Sequence, residues 1–313
     1  MTIGPKETVV QIEAQPALVH CSSVIEASQG ELICVWYQGA YETSPDTVIM
    51  ISRRSSRGEW SKPIVLFDFH GMALGNPVLW RSPDGALNVI FSVLLSASWK
   101  ESLLFCSTST DGGASWSRAS LFTPRIGMMG KTRPVVGSHG QILFPLYSEI
   151  EHCPYVWIVE DSTDYLGGSF VAETMARGKA IQPTVASLSD GRILMICRTN
   201  QSKLWLSYSY NDGYTWTILR PIDIPNPDSA VDVIRLANGT LLLVGNSSSI
   251  DRKRLVAVAS TDGGQTWGDE TEIVSGDGEF SYPSIVELED HTVSVTYTKG
   301  RYAIVHTQLS IDS

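Results

Sequence analysis

Apolar and β-branched residues gather along this chain in short runs of about five to eight, alternating or nearly continuous, each closed by Gly, Asp, Asn or Pro. The clearest are GELICVWYQG, DTVIMISRR, GALNVIFSV, GQILFPLYS, GRILMICRT, GTLLLVGNS and HTVSVTYT. No window of about 12 residues or more shows an apolar period of 3.6, so the pattern predicts strands from end to end and an all-β chain.

Two repeats organise these strands. The first is an eight-residue signature, S-x-D-x-G-x-[ST]-W, at Ser109–Trp116 and Ser260–Trp267, with Asn211 in place of Asp in Ser209–Trp216. Weaker copies stand at Ser52–Trp60 and Ser162–Phe170. The tryptophans recur at a period of about 50 residues, the length of one four-stranded propeller blade. The signature itself reads as scaffold: Asp and Ser satisfy turn amides, glycine takes positive φ, and the indole packs between sheets. The second repeat is an opening pair, a strand, a turn glycine and a second strand: Asn76-Pro77, Arg133-Pro134, Gln182-Pro183 and Tyr282-Pro283. Counting back from Gly30 and Gly239 places the two openings without proline at Cys21 and Ala230. The expected fold is a single six-bladed β-propeller over 1–313, with four-stranded antiparallel blades opening near 20, 76, 133, 182, 231 and 282. The N-terminal ETVVQIE is expected to pair onto the last blade and close the ring, which removes an exposed sheet edge.

Composition narrows the function classes. With 33 acidic and 23 basic side chains the net charge is −10, which argues against nucleic acid as a partner. No apolar stretch approaches the roughly 20 residues of a membrane span, and MTIGPKETVV lacks the layout of a signal peptide, so a cytoplasmic chain without a membrane partner is expected. The five cysteines have no CxxC spacing and read as reduced, buried thiols; the six histidines have no metal-ligand spacing. No metal and no cofactor are expected, and the oligomeric state is left open.

In a propeller the first strand of each blade lines the axis, so the opening residues become neighbours. That ring would hold His20 with Cys21, Asn76, Arg133, Gln182, Ala230 flanked by Asp228 and Asp232, and Tyr282. Its polar character predicts a ligand pocket on the axis.

The signatures and this layout together resemble the sialidase-like superfamily, most closely its bacterial and plant branch of BNR-repeat, or Asp-box, propellers. The resemblance rests on SSVIEASQGELICVWYQGAYETSPDTVIMISRR, GNPVLW, GKTRPVV, IQPTVASLSDGRILMICRTN, DIPNPDSAVDVIRLANGTLLLVGN and SYPSIVELEDHTVSVTYTKGRYAIVH, and covers nearly the whole chain. It implies three arginines that bind a sugar carboxylate, a tyrosine nucleophile with a glutamate partner, and an aspartate acid/base. The arginine positions fall on His20, Arg198 and Arg252, the tyrosine on Tyr282, its partner on Gln182 and the aspartate on Asp46.

His20 and Gln182 depart from the pattern. A phenol needs a base beside it to act as a nucleophile, and glutamine cannot accept its proton. Glu149 and His20 are the candidate substitutes, and His20 adds a group able to move protons near neutral pH. The expected catalytic set is therefore Asp46, Tyr282, His20 and Glu149. The expected substrate-binding set is Arg198, Arg252, Gln182, Asn76, Arg133, Lys131, Asp232, Tyr297 and Arg301. A bland role stands beside several: a rim ion pair for Arg198, a solvated charge for Arg252, a turn residue for Asp46, packing for Tyr297. The resemblance implies a glycoside hydrolase that cleaves a terminal anionic sugar, so the expected partner is a small carboxylate-bearing substrate. Two alternatives remain: proton-transfer chemistry, as a uronate lyase or a small-metabolite isomerase or cyclase, and a lectin-like propeller without catalysis.

Overall fold

The computed structural model describes residues 1–11, 17–160 and 180–311. The single helical element among them is the 3-10 turn Trp99–Glu101, so none is long and apolar enough to cross a membrane. All other regular elements are strands, and they form the antiparallel blades of a six-bladed β-propeller.

The chain divides into two compact units, Met1–Gly130 with Tyr282–Ser313, and Lys131–Ser281. In the first, Leu18–Ser28, Glu31–Gly39, Val48–Arg54 and Ile64–Phe67 make one blade. Leu74–Arg81, Leu87–Leu94, Ser102–Ser109 and Ser120–Thr123 make the next. Phe280–Glu287, which belongs to this unit from Tyr282 onward, makes the last blade with Val293–Lys299 and Ala303–Ser310, and it is completed by Thr2–Ile3 and Glu7–Gln11, which both pair with Ala303–Ser310. In the second unit, Val135–Val136, Ile142–Ser148 and Cys153–Val159 pair in order. They are followed by the blade Ala180–Ser187, Ile193–Thr199, Lys203–Ser209 and Arg220–Pro225. Asp232–Arg235, Leu241–Asn246, Arg254–Ser260 and Thr271–Ser275 form the blade after that.

Central strands are buried on both faces because blades stack on one another, which is why their runs are continuous rather than alternating. Leu194, Leu206, Val231, Leu243 and Val256 form one such layer within the second unit. Phe67 stacks on Phe91 at 4.7 Å within the first. Four of the five cysteines are buried and all five are free thiols.

The eight-residue signatures are clamps. Ser109 Oγ donates to Asp111 Oδ1 at 2.8 Å and accepts the Gly113 amide at 2.7 Å, while the Trp116 indole donates to the Gly113 carbonyl at 3.1 Å. Ser209 and Ser260 hold Gly213 and Gly264 in the same way, at 2.8 and 2.9 Å. These glycines have φ of +81°, +86° and +87°, and a Cβ on them would meet Ile33, Leu143 and Leu194 of the preceding blade. The weak copy at Ser52–Trp60 occupies an equivalent hairpin, with Ser52 Oγ donating to the Ser61 carbonyl at 2.8 Å as Ser107 does to Ser117 at 2.7 Å. The copy at Ser162–Phe170 lies outside the described residues.

Candidate active site

The opening positions found in the sequence are places where the backbone departs from the strand. Cys21, Asn76, Gln182 and Tyr282 all take left-handed φ, at +57°, +44°, +51° and +53°. Pairing slips by a residue at three of them, between His20 and Ser23, Gly75 and Val78, and Ile181 and Thr184. A non-glycine residue held there costs about 1 kcal/mol or more and persists only where its surroundings enforce it; bulges of this kind re-aim a side chain. The proline after Asn76 and Gln182 suits the slip, because it has no N–H to give to the ladder.

Within the first unit these bulges gather a polar aromatic cluster. The His20 ring lies 4.2 Å from that of Tyr282, tilted by 52°, and meets the edge of Tyr37 at 5.7 Å. Its Nδ1 shares a 3.0 Å hydrogen bond with Thr298 Oγ1, which also accepts the Cys21 amide at 3.2 Å. Tyr37 donates to Glu42 Oε1 at 3.4 Å, and Arg301 Nη1 donates to Glu42 Oε2 at 2.7 Å. Burial, then the charges of Glu42, Cys21 and Tyr282, push the Tyr37 phenol well above its ordinary pKa against the opposing pull of Arg301. Tyr37 therefore stays a protonated donor. Trp99 packs edge-on against Tyr37 at 6.2 Å, over Gly75, where any Cβ would strike the indole.

The remaining expected residues of this unit separate into different environments. Asn76 is buried. Tyr297 is buried in Val293–Lys299, and its enclosure raises its pKa. Asp46 stands exposed on the loop after Glu31–Gly39 and accepts the Ala40 amide at 3.2 Å. The Ser44 hydroxyl, then that amide, hold its carboxyl below the usual range.

The second unit holds the other charged set. Arg198 Nε lies 3.2 Å from Asp228 Oδ1, and Arg252 donates to the Asp228 carbonyl at 2.8 Å and to Glu279 at 3.0 Å. Asp228, at φ +54°, thus brings the two arginines together. Gln182 donates to the Tyr147 hydroxyl at 3.2 Å. Buried Asp232 accepts from Thr184 at 3.1 Å and opposes the fall in pKa that packing imposes on Arg133. Lys131 is buried, and Glu149 is half-buried at the start of the otherwise exposed turn between Ile142–Ser148 and Cys153–Val159, in the unit that does not contain Tyr282.

Sequence reasoning missed Tyr37, Glu42 and Thr298. Tyr37 ends an apolar run and reads as core, Glu42 sits in a polar loop, and Thr298 is one of several alternating threonines. Strand pairing sets Tyr37 beside His20, packing against another blade brings Thr298 to it, and Glu42 joins through Tyr37. Chemically, an imidazole against two phenols can move protons, and paired guanidiniums can hold an anion.

A model of the BNR repeat-like domain matches residues 30–295. The chain is 29% identical over 224 residues to a sialidase of Micromonospora viridifaciens, a match covering 63% of this chain and 34% of that protein. It thus spans about a third of that relative's length. Among solved structures it resembles a leech intramolecular trans-sialidase bound to 2,7-anhydro-Neu5Ac, with a TM-score of 0.80, 13% identity, and 99% of this chain and 70% of that one covered. An α-L-arabinanase of Penicillium chrysogenum bound to arabinobiose superposes with a TM-score of 0.74 at 14% identity over 99% of both chains. These structural likenesses establish the shared fold.

Proposed function

The chain belongs to the BNR repeat-like domain family, and from that premise we propose that it is a glycoside hydrolase that removes a terminal anionic sugar. The observation that carries this reading is Tyr282, held in left-handed backbone with its ring 4.2 Å from that of His20. In the proposed reaction the Tyr282 oxygen attacks the anomeric carbon as its proton passes to His20, and the leaving oxygen takes a proton from Asp46. Water then attacks the glycosyl–tyrosine bond and gives its proton to Asp46, while His20 returns the other to Tyr282. Thr298 fixes the imidazole for both transfers. The hydrogen bonds from Ser44 and Ala40 favour ionised Asp46, so that loop must exchange them for the substrate before the acid step. Within the second unit, Arg198 and Arg252 at Asp228 are the guanidiniums suited to an anion, and loss of one charge-assisted contact there should weaken anion binding roughly tenfold or more.

Assays with aryl sialosides and aryl uronides test the reading. Turnover of either, falling about a hundredfold or more in both Tyr282→Phe and Asp46→Asn, is the expected result. Turnover of neither would end it. The contact of His20 with Tyr282 also favours a second reading, elimination from a uronate, because imidazole and phenol can serve as its base and acid. A product with new ultraviolet absorbance would select that reaction, and a saturated free sugar the hydrolase.

A further inference from the structure

We propose that Arg301 is the guanidinium that meets the carboxylate of an incoming acidic sugar, and that Glu42 is its resident counter-ion, displaced when that sugar binds. This rests on the reading of the protein as one that acts on an anionic sugar. His20 is 1% exposed, with Nδ1 engaged by Thr298, so its ring serves the packed cluster and gives no outward clamp. Arg301 is anchored beside it: the Val19 amide, one residue before His20, donates to the Arg301 carbonyl at 2.8 Å. Its backbone is held at φ +59°, a strained setting in a turn that could have used glycine. The side chain extends to partial exposure, 34%, where it meets the 38% exposed Glu42.

The geometry at Glu42 is that of a captured ligand. One oxygen takes the Arg301 Nη1 proton at 2.7 Å and the other takes the Tyr37 hydroxyl proton at 3.4 Å. Tyr37 stays protonated, so both donors persist when Glu42 turns away, and a sugar carboxylate can satisfy the same two. Ion pairs this open to water contribute little, so a ligand with further contacts can exchange with Glu42 at small cost. The pair would then select for an acidic sugar: a neutral one cannot replace Glu42 on the guanidinium.

Titration calorimetry of the full chain with glucuronate, N-acetylneuraminate and neutral arabinose tests this, in wild type, Glu42→Gln, Arg301→Gln, Arg301→Lys, the Glu42→Gln/Arg301→Gln double variant and Arg198→Gln. Glu42→Gln should tighten binding of an acidic sugar by up to about fivefold. Arg301→Gln should weaken it roughly tenfold or more, with Arg301→Lys between the two. In the Arg301→Gln background the Glu42 change should have no effect, and arabinose should respond to none of these. Acidic-sugar affinity that is unaltered in Arg301→Gln, with circular dichroism unchanged, overturns the inference, as does weaker binding in Glu42→Gln. If Arg198→Gln weakens that affinity while Arg301→Gln does not, the inference falls and the anionic-sugar reading stands. If neither wild type nor Glu42→Gln binds any acidic sugar, both fall.

Discussion

Thr298 shows how much one hydroxyl can organise: it serves the buried Cys21 amide and His20 Nδ1 together, from a strand far away in sequence. Thr298→Val keeps the shape and removes both contacts, so it should destabilise the protein by about 1–3 kcal/mol in urea unfolding, and Thr298→Ser should restore most of the loss. The bulge residues carry a signal in the sequence. Asn76, Gln182 and Tyr282 precede prolines at a regular offset from turn glycines, and those prolines mark where the ladder breaks. Their left-handed conformation was not legible, because nothing in Asn-Pro, Gln-Pro or Tyr-Pro favours it locally; at Asn76 and Gln182 it goes with the slipped pairing.

At the scale of elements, the N-terminal strand Glu7–Gln11 is latched by one carboxylate. Arg54 donates to both oxygens of Glu7 at 2.7 and 2.8 Å, and Trp60 and His306 approach at 3.2 and 3.0 Å. Burial alone would raise the Glu7 pKa, but bonds from Arg54 and His306 prevail and lower it from 4.5 to about 2. Buried His306, whose Nε2 meets Ser294 at 3.0 Å, has its pKa lowered from 6.5 by desolvation in spite of Glu7. Both groups bind protons more readily in the unfolded chain, so each contributes stability that is lost as pH falls. The His306 contribution begins to fade below 6.5, and that of Glu7, roughly 3 kcal/mol, between about 4.5 and about 2. Hydrogen exchange at the Thr8 and Val10 amides should accelerate over that range ahead of the central strands. At neutral pH, Glu7→Gln should lower stability by a few kcal/mol.

For the whole molecule, repetition makes a stronger prediction than any one contact. Ser109, Ser209 and Ser260 are buried, and each accepts a glycine amide at the same point of three different blades. Replacing any one by alanine removes that acceptor from a buried N–H and should cost about 1–3 kcal/mol. The three share no hydrogen-bond partner, so the triple variant should lose close to the sum, measured by chemical denaturation. Circular dichroism should show almost no helix.

The all-β class and the six-bladed propeller of four-stranded blades could be read from the chain, because strand periodicity and turn chemistry are local and recur. Even the clamp role of Ser109–Trp116 follows from residue types at fixed spacing. Tertiary structure decided which side chains share an environment. Glu42 joins Arg301 and Tyr37, Asp228 joins Arg198 and Arg252, and Asp46 stands in a solvated loop bonded by its own neighbours. Each partnership depends on which strand ends and turns the blades bring together, a long-range property that no local pattern of apolar and polar residues encodes.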